Sequence, residues 1–204
     1  SLIQDDDKEL KDKYRRLLCC SAFIIFPLMI GLAVLASPLV RLVLTSKWDG
    51  CVLYLQIISF AMMWYPIHAI NLNLLQVKGR TDLFLRLEII KKIIGVGIMC
   101  ITIPFGITVM CIGMVVFSLI AVVVNTYYTG KIIHVGFFVQ MGDLFPVLLN
   151  SLVMGGLVYF SVMFLESSIV KLLVGLVVGV AYYYISSFFL KFKELDDFMS
   201  IIKR

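Results

Sequence analysis

Residues 79–92 read GRTDLFLRLEIIKK, a stretch that sets Arg86, Glu88, Lys91 and Lys92 at the head of an apolar run. Downstream of Lys92 the run lasts only from Ile93 to Ile103 before Pro104, Phe105 and Gly106 signal a turn. That is about 16 Å of helix at 1.5 Å per residue, against a hydrocarbon core of roughly 30 Å. A spanning helix must therefore start near Leu83. Lys91 and Lys92 then fall about 12 to 13 Å along its axis, inside the cytoplasmic half of the bilayer unless their side chains snorkel out.

Energetics decide how such a helix can exist. On the insertion scale each central charge costs about 2.5 to 3.5 kcal/mol, so four cost on the order of 10 to 14. The Leu, Ile, Val and Phe residues of 83–103 offset only about 4 to 7. The helix is expected to be shielded by its neighbours or to face a wet cavity. Glu88 lies three and four positions before Lys91 and Lys92, so all three share a face and one positive charge is left over. Arg86, well round the helix from Glu88, is better placed to pair with Asp82, four residues earlier.

The surroundings fix the class. Hydrophobic residues make up 61% of the 204-residue chain and charged residues 15%, with a mean hydropathy of +1.03, which excludes a soluble globular domain. The expectation is an all-α integral membrane protein. A net charge of +5 is no nucleic-acid signal, because the basic residues lie in short runs beside apolar segments. The opening SLIQDDDKEL, without an initiator Met, reads as the interior of a longer protein. Cysteines 19, 20, 51, 100 and 111 show no CxxC pair and read as small packing residues; a bridge among Cys51, Cys100 and Cys111 is the alternative.

In chain order, residues 1–16 form a charged amphipathic lead with opposite charges at 9/13 and 12/16. Six spans follow, at about 17–45, 51–77, 83–103, 107–129, 143–165 and 169–190. Pro27 should kink the first, and Ser37 with Pro38 should break or redirect it. The second carries His68, Asn71, Asn73 and Gln76 after Pro66; His68 and Asn71 share a face, with the charges of the third span as expected neighbours. Asn125, Tyr127 and Tyr128 read as an interfacial belt ending the fourth span, and residues 131–142 as a connection too short and mixed to cross. Asp143 is a candidate N-cap for the fifth. Gly175 and Gly179 form a GxxxG pair that suits close helix packing. The tail, 191–204, suits a membrane surface. Of 18 basic residues, 15 fall on the side shared by both ends of the chain, so both ends are expected in the cytoplasm.

Chemistry is sparse. There is no GxSxG, P-loop, HExxH or Rossmann fingerprint, and His68 and His134 are the two histidines, so neither an enzyme nor a bound cofactor or metal is expected. His134 reads as solvated. His68 reads either as satisfied by neighbouring helices or as a protonatable group beside a charged cavity. Lys91 and Lys92 either snorkel to headgroups or line the cavity, with Glu88 as their charge partner or, in the minority reading, a coupling group.

The segments LASPLVRLVL, then SKWDGCVLYLQIISFAMMWYPIHAINLNLLQVKGRTDLFLRLEIIKK, then QMGDLFPVLLNSLVMGG resemble the C-terminal part of bacterial polysaccharide or O-antigen flippases. Those belong to the superfamily of multidrug extrusion transporters and lipid II flippases. The resemblance implies a transporter of 12 to 14 helices in the bacterial inner membrane, of which six spans are present and the N-terminal lobe is a missing partner. It implies movement of undecaprenyl-diphosphate-linked oligosaccharide for lipopolysaccharide or capsule by alternating access, among membrane lipids and without nucleic acid. An anionic diphosphate leaving water needs a shielded cation, and Lys91, Lys92, Arg86, His68 and Asn71 are the cavity candidates. A cation-coupled drug antiporter of the same superfamily, which would need Glu88 free to exchange ions, and a structural membrane subunit remain the alternatives.

Overall fold

The structure, a computed structural model, describes residues 2–195. Its helices are α1 (Leu2–Val34), α2 (Ala36–Val43), α3 (Cys51–Met62), α4 (Tyr65–Val77), α5 (Thr81–Thr102), α6 (Ile107–Ile133), α7 (Phe137–Met163) and α8 (Ser168–Phe189). No strand occurs among the described residues. This is the solution lipid demands, since an α-helix satisfies its backbone groups internally. By length and composition five stretches among the described residues suffice to cross a membrane: residues 8–34, 51–77 and 107–133, together with α7 and α8. The protein is an all-α, multi-pass membrane protein. At 22 residues α5 has the length but carries Asp82, Arg86, Glu88, Lys91 and Lys92, too many charges for that set.

Several boundaries differ from the sequence reading, each for a local reason. The lead is no separate segment, because α1 runs unbroken from Leu2 through Pro27 to Val34. The redirection comes at Leu35, and α2 begins at Ala36 with Ser37 and Pro38 in its first turn, where a proline's missing N–H costs nothing. The second span breaks at residues 63–64, since Pro66 can neither donate to the Met62 carbonyl nor avoid crowding it. The turn between α5 and α6 is a short 3₁₀ piece, Ile103–Phe105, closed by Gly106 at φ 91°, a conformation that favours glycine. Asp143 lies inside α7 rather than capping it. Residues 196–204 of the tail lie outside the described residues.

The chain divides into two compact units, one of residues 2–22 with Ala61–Phe145, the other of Phe23–Phe60 with residues 146–195. In the first, α5 and α6 pack as a hairpin and α4 packs on both. In the second, α2 packs on α8. There Gly175 takes the close contact its GxxxG pattern suggested: a Cβ would lie 2.7 Å from Leu35 Cδ2 and 3.2 Å from Val158 Cγ1. Tyr183 donates to the Phe23 carbonyl at 2.9 Å, Gln56 donates to the Ala33 carbonyl at the end of α1 at 3.1 Å, and Arg41 holds Asp49 through two bonds of 3.0 Å.

Candidate functional site

Polar groups concentrate in the first unit, and α4 presents them in two steps. Asn71, 1% exposed, donates to the Ile67 carbonyl at 2.8 Å and to Gln140 Oε1 of α7 at 3.1 Å. Its Oδ1 accepts from Thr129 of α6 at 2.6 Å and from Gln140 Nε2 at 3.2 Å. Two amides thus pair reciprocally across two helices, and the hydroxyl of a third residue completes the set. One turn earlier, His68 is half-buried, with Nε2 3.3 Å from Ser118 Oγ and Nδ1 3.3 Å from Asn125 Nδ2. Ser118 passes its own proton to the Ala61 carbonyl at 2.9 Å.

These contacts modify the expectation for span two. His68 and Asn71 face protein, but their hydrogen-bond partners lie on α6 and α7 rather than among the charges of α5. Lys91 nonetheless lies close enough to His68 to act on it electrostatically. Asn125 is 1% exposed, inside the unit and not in the interfacial belt to which the sequence reading assigned it. Tyr127 is exposed, with Tyr128 edge-on at 5.3 Å and the Lys131 ammonium 4.5 Å above its ring. Asn73 and Gln76 are exposed, as is His134.

On α5 the charges separate. Lys91 pairs with Glu88 one turn away, and its side chain is only 12% exposed. Lys92 is exposed and meets no carboxylate among the described residues. It interrupts an outward apolar stripe of Leu85, Ile89, Ile93 and Val96. Arg86 is exposed too, and its expected partner is taken: Asp82 is held by Arg80 through bonds of 3.1 and 3.2 Å. The Arg80 guanidinium keeps the Asp82 carboxyl below its ordinary range.

Sequence reasoning missed three contributors. Gln140 sat in a stretch read as connection, because its polarity lowers local hydropathy while its partner, Asn71, lies 69 residues away. Tyr14, 5% exposed, lies beside Thr129 and Gln140 in what reads as a solvated lead. Arg15 forms a bidentate pair with Asp143 at 2.7 and 2.5 Å, although its neighbours in sequence offered acidic partners of their own. The five cysteines are all unbridged, so the Cys51, Cys100 and Cys111 alternative is not realised here.

A family model described as a polysaccharide biosynthesis protein matches residues 1–53. The chain is 33% identical over 103 residues, 48% of its length, to an uncharacterized membrane protein in the cps region of Klebsiella pneumoniae. It is 29% identical over 89 residues, 44% of its length, to the lipopolysaccharide biosynthesis protein WzxC of Escherichia coli strain K12. These matches cover 20% and 18% of the two relatives, so the chain spans about a fifth of the curated relatives it matches. No solved structure matches it.

Proposed function

We propose that this helical bundle is part of a transporter that moves lipid-linked oligosaccharide or polysaccharide repeat units, carried on undecaprenyl diphosphate, across the bacterial inner membrane by alternating access. The names of its relatives support a polysaccharide role, and the reading as a transporter rests on the resemblance to flippases and on the multi-pass helical fold. One observation carries the site: α5 holds a cation, Lys92, exposed and without a carboxylate partner among the described residues, in the middle of an apolar stripe and one residue from the Lys91–Glu88 pair. A charge at such a depth must be met by a headgroup, by cavity water or by a bound anion. A diphosphate in a partly dehydrated groove is a stronger partner than one in water, because the effective dielectric is lower.

The roles of the candidates then divide. Lys92 is the anion ligand and Arg86 an outer contact. Lys91, tied to Glu88, sets the local field. Asn71 has no free group to offer a substrate, so its part is structural. The basic residues of the lead, the Lys78 turn and the tail face the cytoplasm; labelling of a cysteine placed at Lys193 by an impermeant reagent in intact cells would overturn that orientation.

Complementation of surface polysaccharide in a transporter-deleted strain tests the site, with membrane abundance measured alongside. Lys92→Gln should abolish export at normal abundance, and adding Lys91→Gln should abolish it while lowering abundance as well. Lys91→Gln alone should lower abundance by leaving Glu88 unpaired. Normal export by the double variant would leave the lysines as snorkelling anchors. Glu88→Gln more damaging than the double variant would favour ion coupling at Glu88.

A further inference from the structure

As placed, the groups around His68 suit one protonation state and hold the parts of a second. Ser118 spends its only proton on the Ala61 carbonyl, so its oxygen must accept from His68 Nε2–H. Asn125 Nδ2 can only donate, so Nδ1 accepts. Both contacts suit a neutral imidazole. Asn125 Oδ1, meanwhile, is buried with no hydrogen-bond partner, an acceptor left idle where idle acceptors are costly. Turning that carboxamide over, with Ser118 still bonded to the Ala61 carbonyl, would present Oδ1 to an Nδ1–H while Nε2–H stays on Ser118, the arrangement a doubly protonated ring requires.

The remaining groups say when the second state is favoured. From α5, which packs on α4, the charge that acts on the ring is Lys91, 12% exposed and paired with Glu88. From α6 it faces Ser118 and Asn125, neither of which titrates, and the one charged side chain of that helix, Lys131, is exposed at its far end. Asp143 of α7 is committed to Arg15. An imidazolium here therefore adds a positive charge beside Lys91 with no spare carboxylate to offset it. A diphosphate bound at Lys92, beside the Lys91–Glu88 pair, would supply the missing negative charge.

We propose that His68 is a proton-binding site coupled to anion binding on α5, with the Asn125 amide reversing between the two states. This rests on the anion site proposed above. By linkage each ligand favours the other: anion binding takes up a proton, and acidification tightens the anion. The imidazole is thus a coupling group rather than a substrate ligand.

The test is calorimetric titration of the intact protein in phospholipid nanodiscs with dibutyl diphosphate, a diester whose charges do not titrate here, in two buffers of different ionisation heat at about pH 6. The wild-type protein should bind with net proton uptake and more tightly as pH falls. His68→Gln should bind without uptake. Asn125→Asp, which supplies a fixed carboxylate to hold the ring charged, should also bind without uptake and carries the test if the histidine variant fails to accumulate. Wild-type binding with no buffer dependence, or uptake persisting in these variants, overturns the coupling and leaves the anion site standing. No heat in either buffer overturns the anion site and the coupling together.

Discussion

The two units bury polar groups in different ways. In the first, Asn71, Gln140, Thr129, His68, Asn125 and Ser118 bond side chain to side chain between helices distant in sequence. In the second, Ser151 bonds back to its own helix at the Val147 carbonyl, and Asn150 Nδ2 and Ser187 Oγ have no hydrogen-bond partner among the described residues. What the second unit has instead is close packing at Gly175 and an apolar groove of about 700 Å³ walled by parts of α1, α2, α7 and α8, with Phe23, Leu35, Val158 and Tyr183 among its lining. Lipid offers little hydrophobic drive between helices, so association rests on hydrogen bonds or on the close approach of small residues. Each unit relies mainly on one of the two.

If that contrast is right, the largest loss of stability should come from the amide pair. Asn71→Leu leaves Gln140 Oε1 buried without its donor, whereas Thr129 and Gln140 Nε2 keep bonds to the Asn125 and Val135 carbonyls. One orphaned acceptor costs about 1 to 3 kcal/mol. Adding Gln140→Leu removes the orphan, so the double variant should recover part of the loss, with a coupling of about 1 to 2 kcal/mol. Thermal unfolding of the reconstituted protein gives the cycle; strictly additive losses would mean the pair is incidental.

The second unit should answer to volume instead. Gly175→Ala puts a methyl 2.7 Å from Leu35 Cδ2, but that is the end of a side chain beside an open groove, so the cost should be about 1 kcal/mol. Leu35→Ala in the same protein should then relieve it. A loss as large as that of Asn71→Leu, without relief, would show the groove to be rigid and the contrast overstated.

How much of this was legible follows from the same physics. Hydropathy sees composition along the chain, and it located the apolar runs, the turn at Gly106 and the anomalous charges of α5. It could not say which helix would satisfy a given polar residue. Asn125 looked interfacial because it precedes two tyrosines, yet its surroundings are His68 and Thr129. Asp143 looked like a cap because it opens an apolar run, yet α7 begins six residues earlier. Arg86 was matched to Asp82 by helical spacing, whereas Arg80, just before the helix, reaches that carboxylate first. In each case the deciding partner came from outside the local window. The break before Pro66 differs in kind, since the ring's clash with its own preceding turn was available from sequence.

The smallest effects separate two of the arginine–aspartate pairs, Arg15–Asp143 in the first unit and Arg41–Asp49 in the second. Arg15 and Asp143 are 128 residues apart, and the aspartate side chain is 17% exposed. Arg41 and Asp49 are eight residues apart and exposed. An exposed pair such as Arg41–Asp49 gains little over its solvated ions and is screened by salt. Arg15→Gln should therefore lower stability by about 1 kcal/mol, since it leaves Asp143 with little water to replace its partner. Arg41→Gln should leave the unfolding midpoint unchanged at physiological salt. Raising the salt should not alter the Arg15 effect and should remove any residual Arg41 effect seen at low ionic strength. Equal, salt-sensitive losses from both substitutions would mean that the Arg15 pair is as wet as the Arg41 pair, and that polar bonding in the first unit stops short of α1.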